Sequence, residues 1–174
     1  MANSELRKVF LVDDDPMHLQ MLKDHLSSKF KLDITTFSTG EDCLANLDKN
    51  PDVVVLDYYL NSVEKNAANG IEILKKIKVR KPDTEVVMLS GQEKIEIAVE
   101  TMASGAFDYV IKNESSFLRT ENKLINVFKH KKVQENLKLY KKGVLIMGIA
   151  IAVIIIAAII LVASGVATRT PGVM

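Results

Sequence analysis

Val53-Val54-Val55-Leu56-Asp57-Tyr58-Tyr59-Leu60 (VVVLDYYL, residues 53–60) decides the fold. Three consecutive valines and a leucine leave no polar face, as in a strand covered on both sides. Such strands occur in parallel sheets with helices on each face. The run stops at a single acid, Asp57, and a polar stretch follows.

Working outward, the same grammar repeats. Lys8 to Val12 is a short apolar run that ends in Asp13 and Asp14. Asp15 followed by Pro16 reads as a helix cap and a first-turn proline. The helix they open carries Met17, Leu19, Met21, Leu22 and Leu26. Leu32 to Phe37 reads as a second strand and Gly40 to Lys49 as a helix. After Asp57, residues Ile71, Ile73, Leu74 and Ile77 mark a helix ending near Pro82. Val86 to Leu89 is a fourth strand, followed by a helix over Glu93 to Ser104 with Gly105 as its C-cap glycine. Tyr109 to Ile111 is a fifth strand, and a last helix starts near Ser115. Five strands alternating with five helices predict a doubly wound α/β fold with right-handed crossovers. Sites in such sheets form outside the carboxyl ends of the strands.

Those ends carry Asp13 and Asp14, then Asp57, then Ser90, then Lys112. Three carboxylates in one crevice repel one another unless a cation accompanies them, and an all-oxygen donor set suits Mg²⁺. A hydroxyl and a lysine complete a cradle for an anion bonded to a carboxylate. Taken singly, Asp15 is a helix cap, a strand-end serine is structural and a lone lysine is a surface charge. The ordered set carries the argument.

VFLVDDDP, VVVLDYYL, VVMLSGQ and GAFDYVIK resemble, in that order and spacing, the signature blocks of response-regulator receiver domains. The likeness covers about residues 6–130. It implies a flavodoxin-like five-stranded sheet of order 2-1-3-4-5. It implies Asp57 as phospho-acceptor, Asp14 as a direct Mg²⁺ ligand, Asp13 as a ligand largely through water, and the backbone carbonyl of Tyr59 as a further ligand. Ser90 and Lys112 would hold the phosphoryl oxygens, and Tyr109 falls on the aromatic switch position. A sensor histidine kinase or a phosphotransfer protein would be the donor, and a downstream protein the reader. The domain would be a phosphoacceptor signalling module rather than an enzyme. The sequence also departs from the pattern. Asn61 stands where a proline is frequent, and Asn113 stands where a cis proline follows the lysine, so a trans bond is expected there. Gly70 comes 13 residues after Asp57 instead of about eight, which enlarges the loop Tyr58 to Asn69. That loop reads as a tolerated insertion or as a partner-specific loop beside the site.

The C-terminal quarter is different. Residues 144–167 hold no charge, and Ser164 is their only strongly polar side chain. These 24 residues would span about 36 Å as a helix, enough for a hydrocarbon core of about 30 Å. Six lysines (129, 131, 132, 138, 141, 142) precede the span and only Arg169 follows it. This bias predicts a single pass of the cell (inner) membrane with the N-terminal side in the cytoplasm. The expected organisation is a receiver at 1–130, a basic linker at 131–143, a transmembrane helix at 144–167 and a short tail at 168–174. No effector domain is expected after the receiver. Gly148 and Ala152 would let two spans pack closely, which allows a homodimer.

Composition narrows the remaining classes. In 174 residues, 23 basic side chains nearly balance 22 acidic ones, which argues against nucleic acid as the main partner. The single cysteine, Cys43, excludes an intrachain disulfide and reads as a buried small hydrophobe. Met1 to Lys8 is polar, so no signal peptide is expected. His18 and His25 read as helix-surface residues, and His130 has no partner pattern. Two other classes stay open: a membrane-tethered adaptor that keeps the fold without phosphorylation, and a small-substrate phosphohydrolase. The latter would need an acid two residues after the nucleophile, where Tyr59 stands.

Overall fold

A computed structural model describes residues 6–60, 69–91 and 94–163. The chain divides into two units, one through Phe128 and one from Lys129 onward.

The first unit is a five-stranded parallel sheet of order β2-β1-β3-β4-β5. The strands are β1 (Arg7–Val12), β2 (Leu32–Phe37), β3 (Val53–Asp57), β4 (Glu85–Ser90) and β5 (Asp108–Ile111). Between them run α1 (Pro16–Lys29), α2 (Gly40–Ala45), α3 (Gly70–Arg80) and α4 (Ile95–Ala103). Strand side chains alternate between faces, and the central strands feed two cores. Phe10, Val12, Val54, Leu56, Val86 and Met88 pack with Cys43, Leu44, Ile73, Leu74 and Ile77 of α2 and α3. Val9, Leu11, Val53, Val55, Val87 and Leu89 pack on the other face with Leu19, Leu22 and Leu26 of α1, together with Leu124 and Val127. Every residue of β3 is buried, as its unbroken apolar run requires.

Local signals act where expected. The Asp15 carboxylate accepts from the Met17 and His18 amides at 2.9 and 3.2 Å, capping α1. Gly105 follows the end of α4 with φ +93°, a conformation that costs glycine little. The predicted helix Gly40 to Lys49 is split. It ends at Ala45, and a 3₁₀ turn covers Leu47–Lys49. Asn46 and Asn50 explain this. Asn46 turns its side-chain amide back onto the Asp42 carbonyl at 2.9 Å, a local bond that competes with the helix. Asn50 takes left-handed φ and ψ of 53° and 67°, which asparagine tolerates. There are no cis peptide bonds among the described residues, so Lys112–Asn113 is trans.

α4 is seated differently from its neighbours. Only Thr101 of this helix is buried, while Ile95, Val99 and Met102 are exposed.

The second unit is helical. The helix α5 (Ser116–Ala163) supplies the last helical residues of the first unit and the described residues of the second, and is the single helix among those described that is long and apolar enough to cross a membrane. None of its most apolar 18-residue window is buried.

Candidate functional site

The parallel register lines up the strand ends. Val12 lies opposite Leu56, so Asp13 and Asp57 leave the sheet level with each other. Asp57 lies opposite Leu89, and Ser90 lies opposite Ile111, the residue before Lys112. One edge of the sheet therefore gathers residues from four strands.

The gathered groups touch. Lys112 Nζ reaches Asp13 Oδ2 at 2.7 Å and Asp57 Oδ2 at 3.0 Å. The Lys112 amide also donates to the Ser90 carbonyl at 2.7 Å, tying β5 to the end of β4. Asp13, Asp57 and Ser90 are buried, at 2%, 4% and 0% exposure. A carboxylate oxygen from each of Asp13, Asp14 and Asp57 falls within 4.8 Å of the others.

The two buried acids are used differently. Asp13 is occupied on both oxygens: Oδ1 accepts from the Asp15 amide at 3.0 Å, and Oδ2 faces Lys112 and, at 2.8 Å, His18 Nδ1. The His18 contact is close but poorly aligned, since neither ring nitrogen completes a directed hydrogen bond. Asp57 Oδ2 is taken by Lys112, but buried Oδ1 has no hydrogen-bond partner among the described residues. A buried, unpaired carboxylate oxygen is costly unless something else satisfies it.

Titration follows from this asymmetry. Burial, with the neighbouring Asp13 charge, pushes Asp57 from 3.8 up to about 6, although Lys112 opposes the rise. Burial works on Asp13 in the same sense, but His18 and Lys112 outweigh it and hold Asp13 below the usual carboxylate value. Burial would lower Lys112, and the Asp57 and Asp13 carboxylates overcome that and raise it. Lys112 thus stays cationic in front of two acids.

The donor set fits Mg²⁺. It consists of oxygen atoms alone and gathers three acids against one lysine. Asp13 already spends both oxygens on protein groups, so it suits a water-bridged place.

Backbone packing holds the acceptor in place. The Tyr58 amide donates to the Leu89 carbonyl at 2.8 Å, and the Gly70 amide donates to the Tyr58 carbonyl at 2.9 Å. A Cβ at Gly70 would lie 2.4 Å from the Asp57 carbonyl oxygen and 2.8 Å from Tyr58 Cα, so only glycine lets α3 start there. The Asn69 side chain caps that start by accepting from the Glu72 amide at 3.0 Å. Tyr59 is 41% exposed, and its ring meets that of Tyr58 edge-on with centroids 4.7 Å apart. Tyr109 is half-buried against the α2–α3 core. Of the enlarged loop, residues 61–68 lie outside the described residues.

His18 corrects the sequence reading. It is half-buried against Asp13, with its ring 5.3 Å from that of Phe117. His25 is half-buried too, with Nε2 2.9 Å from Glu121 Oε2. Spacing could have signalled this, because His18, Leu22 and His25 stand at i, i+4 and i+7 on one helix face.

The family pattern for the response regulator receiver domain matches residues 9–143. The chain belongs to that family. Receiver domains take a phosphoryl group on an aspartate in a Mg²⁺-dependent reaction and work with histidine kinases or phosphotransfer proteins and with downstream effectors. Among curated proteins, a protein-glutamate methylesterase/protein-glutamine glutaminase from Clostridium acetobutylicum is 33% identical over 63% of this chain and 32% of its own length. The transcriptional regulator NtrC of Salmonella typhimurium is 34% identical over 60% of this chain and 21% of its own. The probable C4-dicarboxylate response regulator DctR of Bacillus subtilis is 30% identical over 64% and 48%. This receiver thus spans between about a fifth and a half of the curated relatives it matches. Two solved receivers superpose well. The BeF3-activated DrrB receiver domain has a TM-score of 0.62 at 27% identity, covering 72% of this chain and 99% of that one. A response regulator receiver domain protein from Clostridium thermocellum gives 0.65 at 26% identity, covering 74% and 99%.

Proposed function

We propose that this receiver accepts a phosphoryl group on Asp57 from a phosphohistidine donor while anchored to a membrane by residues 144–167, and signals through protein contacts. The observation that carries the reading is the asymmetry of Asp57: Oδ2 is held by Lys112, and buried Oδ1 has no partner among the described residues. An in-line transfer needs one free, oriented carboxylate oxygen. Asp57 Oδ1 attacks phosphorus, the P–N bond breaks, and the electron pair leaves with the imidazole of the donor. Lys112 moves its charge toward the incoming phosphoryl oxygens. Asp14, Asp57, the Tyr59 carbonyl and, through water, Asp13 would hold Mg²⁺, which would supply neutralising charge to the transfer. The Ser90 hydroxyl then binds the phosphorylated side chain. Tyr109 turns toward the space this vacates, changing the surface of α4, β5 and the start of α5.

Membrane attachment is supported by the length and apolar composition of α5 and by the six lysines before its apolar part. Incubation with Mg²⁺ and labelled acetyl phosphate or a phosphorylated kinase tests the acceptor. Label should enter the native chain and be absent from Asp57→Asn. Persistent label on the variant removes the assignment, and an unlabelled native chain favours an adaptor acting without phosphorylation. Retention in carbonate-washed membranes tests the anchor.

A further inference from the structure

The helical unit from Lys129 carries two opposed faces before its apolar span begins. On one stand Lys131, Lys138 and Lys142, while Lys132 and Leu139 lie between the faces and Lys141 borders the other. On the other stand Val133, Leu137 and Tyr140, at 56%, 53% and 72% exposure. The spacing from Val133 to Val144 runs 4, 3, 4, the rhythm of a coiled-coil seam. Val133 precedes Val144 by 11 residues, about 16 Å along a helix, so lipid acyl chains that cover the span do not reach it.

The same face continues into the span. Eighteen residues make five whole turns at 3.6 residues per turn, so Leu137, Tyr140 and Val144 lie directly in line with Ile155, Ala158 and Val162. Those three, with Ile159, outline a shallow, open apolar hollow around the small Ala158. Their offsets are i, i+3, i+4 and i+7. This is the four-residue outline that receives a side-chain knob from a facing helix.

We propose that this face pairs two copies of the chain in parallel, joining Val133, Leu137, Tyr140 and Val144 across the two-fold and seating partner side chains in the Ala158 hollow. The inference rests on the membrane-anchored reading, which gives both copies the same orientation. Charge placement selects a second copy as the occupant. Pairing on this face turns the Lys131–Lys138–Lys142 faces outward and apart and leaves Lys141 at the margin of the seam, so these three lysines of each linker do not confront those of the other. An unlike basic or acidic partner would find few charges on the stripe itself. The pairing would bring two receivers to one place on the membrane at a distance set by the linker.

The test uses the full-length chain with Cys43→Ala, reconstituted in phospholipid vesicles, carrying Leu137→Cys or Lys138→Cys, with copper phenanthroline as oxidant. Leu137→Cys should form disulfide-linked dimer several-fold faster than Lys138→Cys. Adding Ala158→Trp, which fills the hollow, should slow that reaction. Equal rates at the two positions in chains retained by carbonate-washed vesicles overturn the pairing and leave the anchor standing. An unchanged rate with Ala158→Trp overturns the role of the hollow. Release of the chain into the carbonate supernatant overturns the anchor and the pairing with it.

Discussion

Asp57→Asn in the metal-free protein should make the fold more stable, although it destroys the acceptor. Asp57 is 4% exposed and titrates near 6 rather than 3.8. The folded state therefore binds this proton more tightly than the unfolded chain does. Stability from this group is fully present below about pH 4 and is lost as pH rises through about 6. With about 1.4 kcal/mol for each tenfold change in proton affinity, the rise from 3.8 to about 6 makes the ionised side chain cost about 3 kcal/mol at pH 7.5. The neutral amide escapes that cost, in which the opposing attraction of Lys112 is already counted. The gain is therefore about 3 kcal/mol, or about 9–18 °C in Tm for a domain of this size. Urea and thermal unfolding in EDTA, read by tyrosine fluorescence, would measure it; Tyr58, Tyr59 and Tyr109 lie in the receiver and the chain has no tryptophan. The gain should be full at pH 7.5, shrink between 6 and 4, and vanish near 4. A variant no more stable than the native chain at pH 7.5, or a gain unchanged at pH 4.5, would refute the reasoning.

Mg²⁺ should relieve the same repulsion. At a hundredfold excess over its Kd it should stabilise the native chain by about 2.7 kcal/mol, and Asp14→Asn or Asp57→Asn much less; equal gains in all three would count against the ligand set. Gly70→Ala should cost about 1–3 kcal/mol by urea unfolding, since the new methyl meets backbone and not a movable side chain. It should also slow labelling, because the displaced atoms belong to Asp57 and Tyr58; native stability and rate would show that α3 can shift freely. Tyr59→Gly, which strips an exposed ring two residues after the acceptor, should change the rate at which label is lost, and an unaltered decay would dismiss Tyr59 as a water shield.

The sheet was legible because burial on both faces leaves a visible trace. β1, β3 and β4 each carry a run of four apolar residues; β3 and β4 end at Asp57 and Ser90, and Asp13 follows β1 directly. Asp13, Asp14, Asp57 and Lys112 could be placed together because a parallel register makes sequence order into spatial order. What escaped depended on side-chain geometry that spacing does not encode. That both oxygens of Asp13 are occupied while one of Asp57 is not follows from where Lys112 and His18 come to rest. His18 was missed because a histidine among Met17, Gln20 and Lys23 looks solvated. Its burial comes from Phe117, nearly 100 residues away in the chain. The break after Ala45 likewise turns on one side-chain bond by Asn46.

The single hydrogen bond from the Gly70 amide to the Tyr58 carbonyl has a consequence for how this protein can diverge. It brings the two ends of the stretch between them together beside the acceptor. Lengthening a closed excursion from about 8 to about 13 residues costs only about 0.4 kcal/mol of chain entropy, while the knot at its base keeps Asp57 where it is. Mutation can thus rewrite what lies between Leu60 and Asn69 and alter the company the site keeps, with Tyr59 and the acceptor insulated from the experiment.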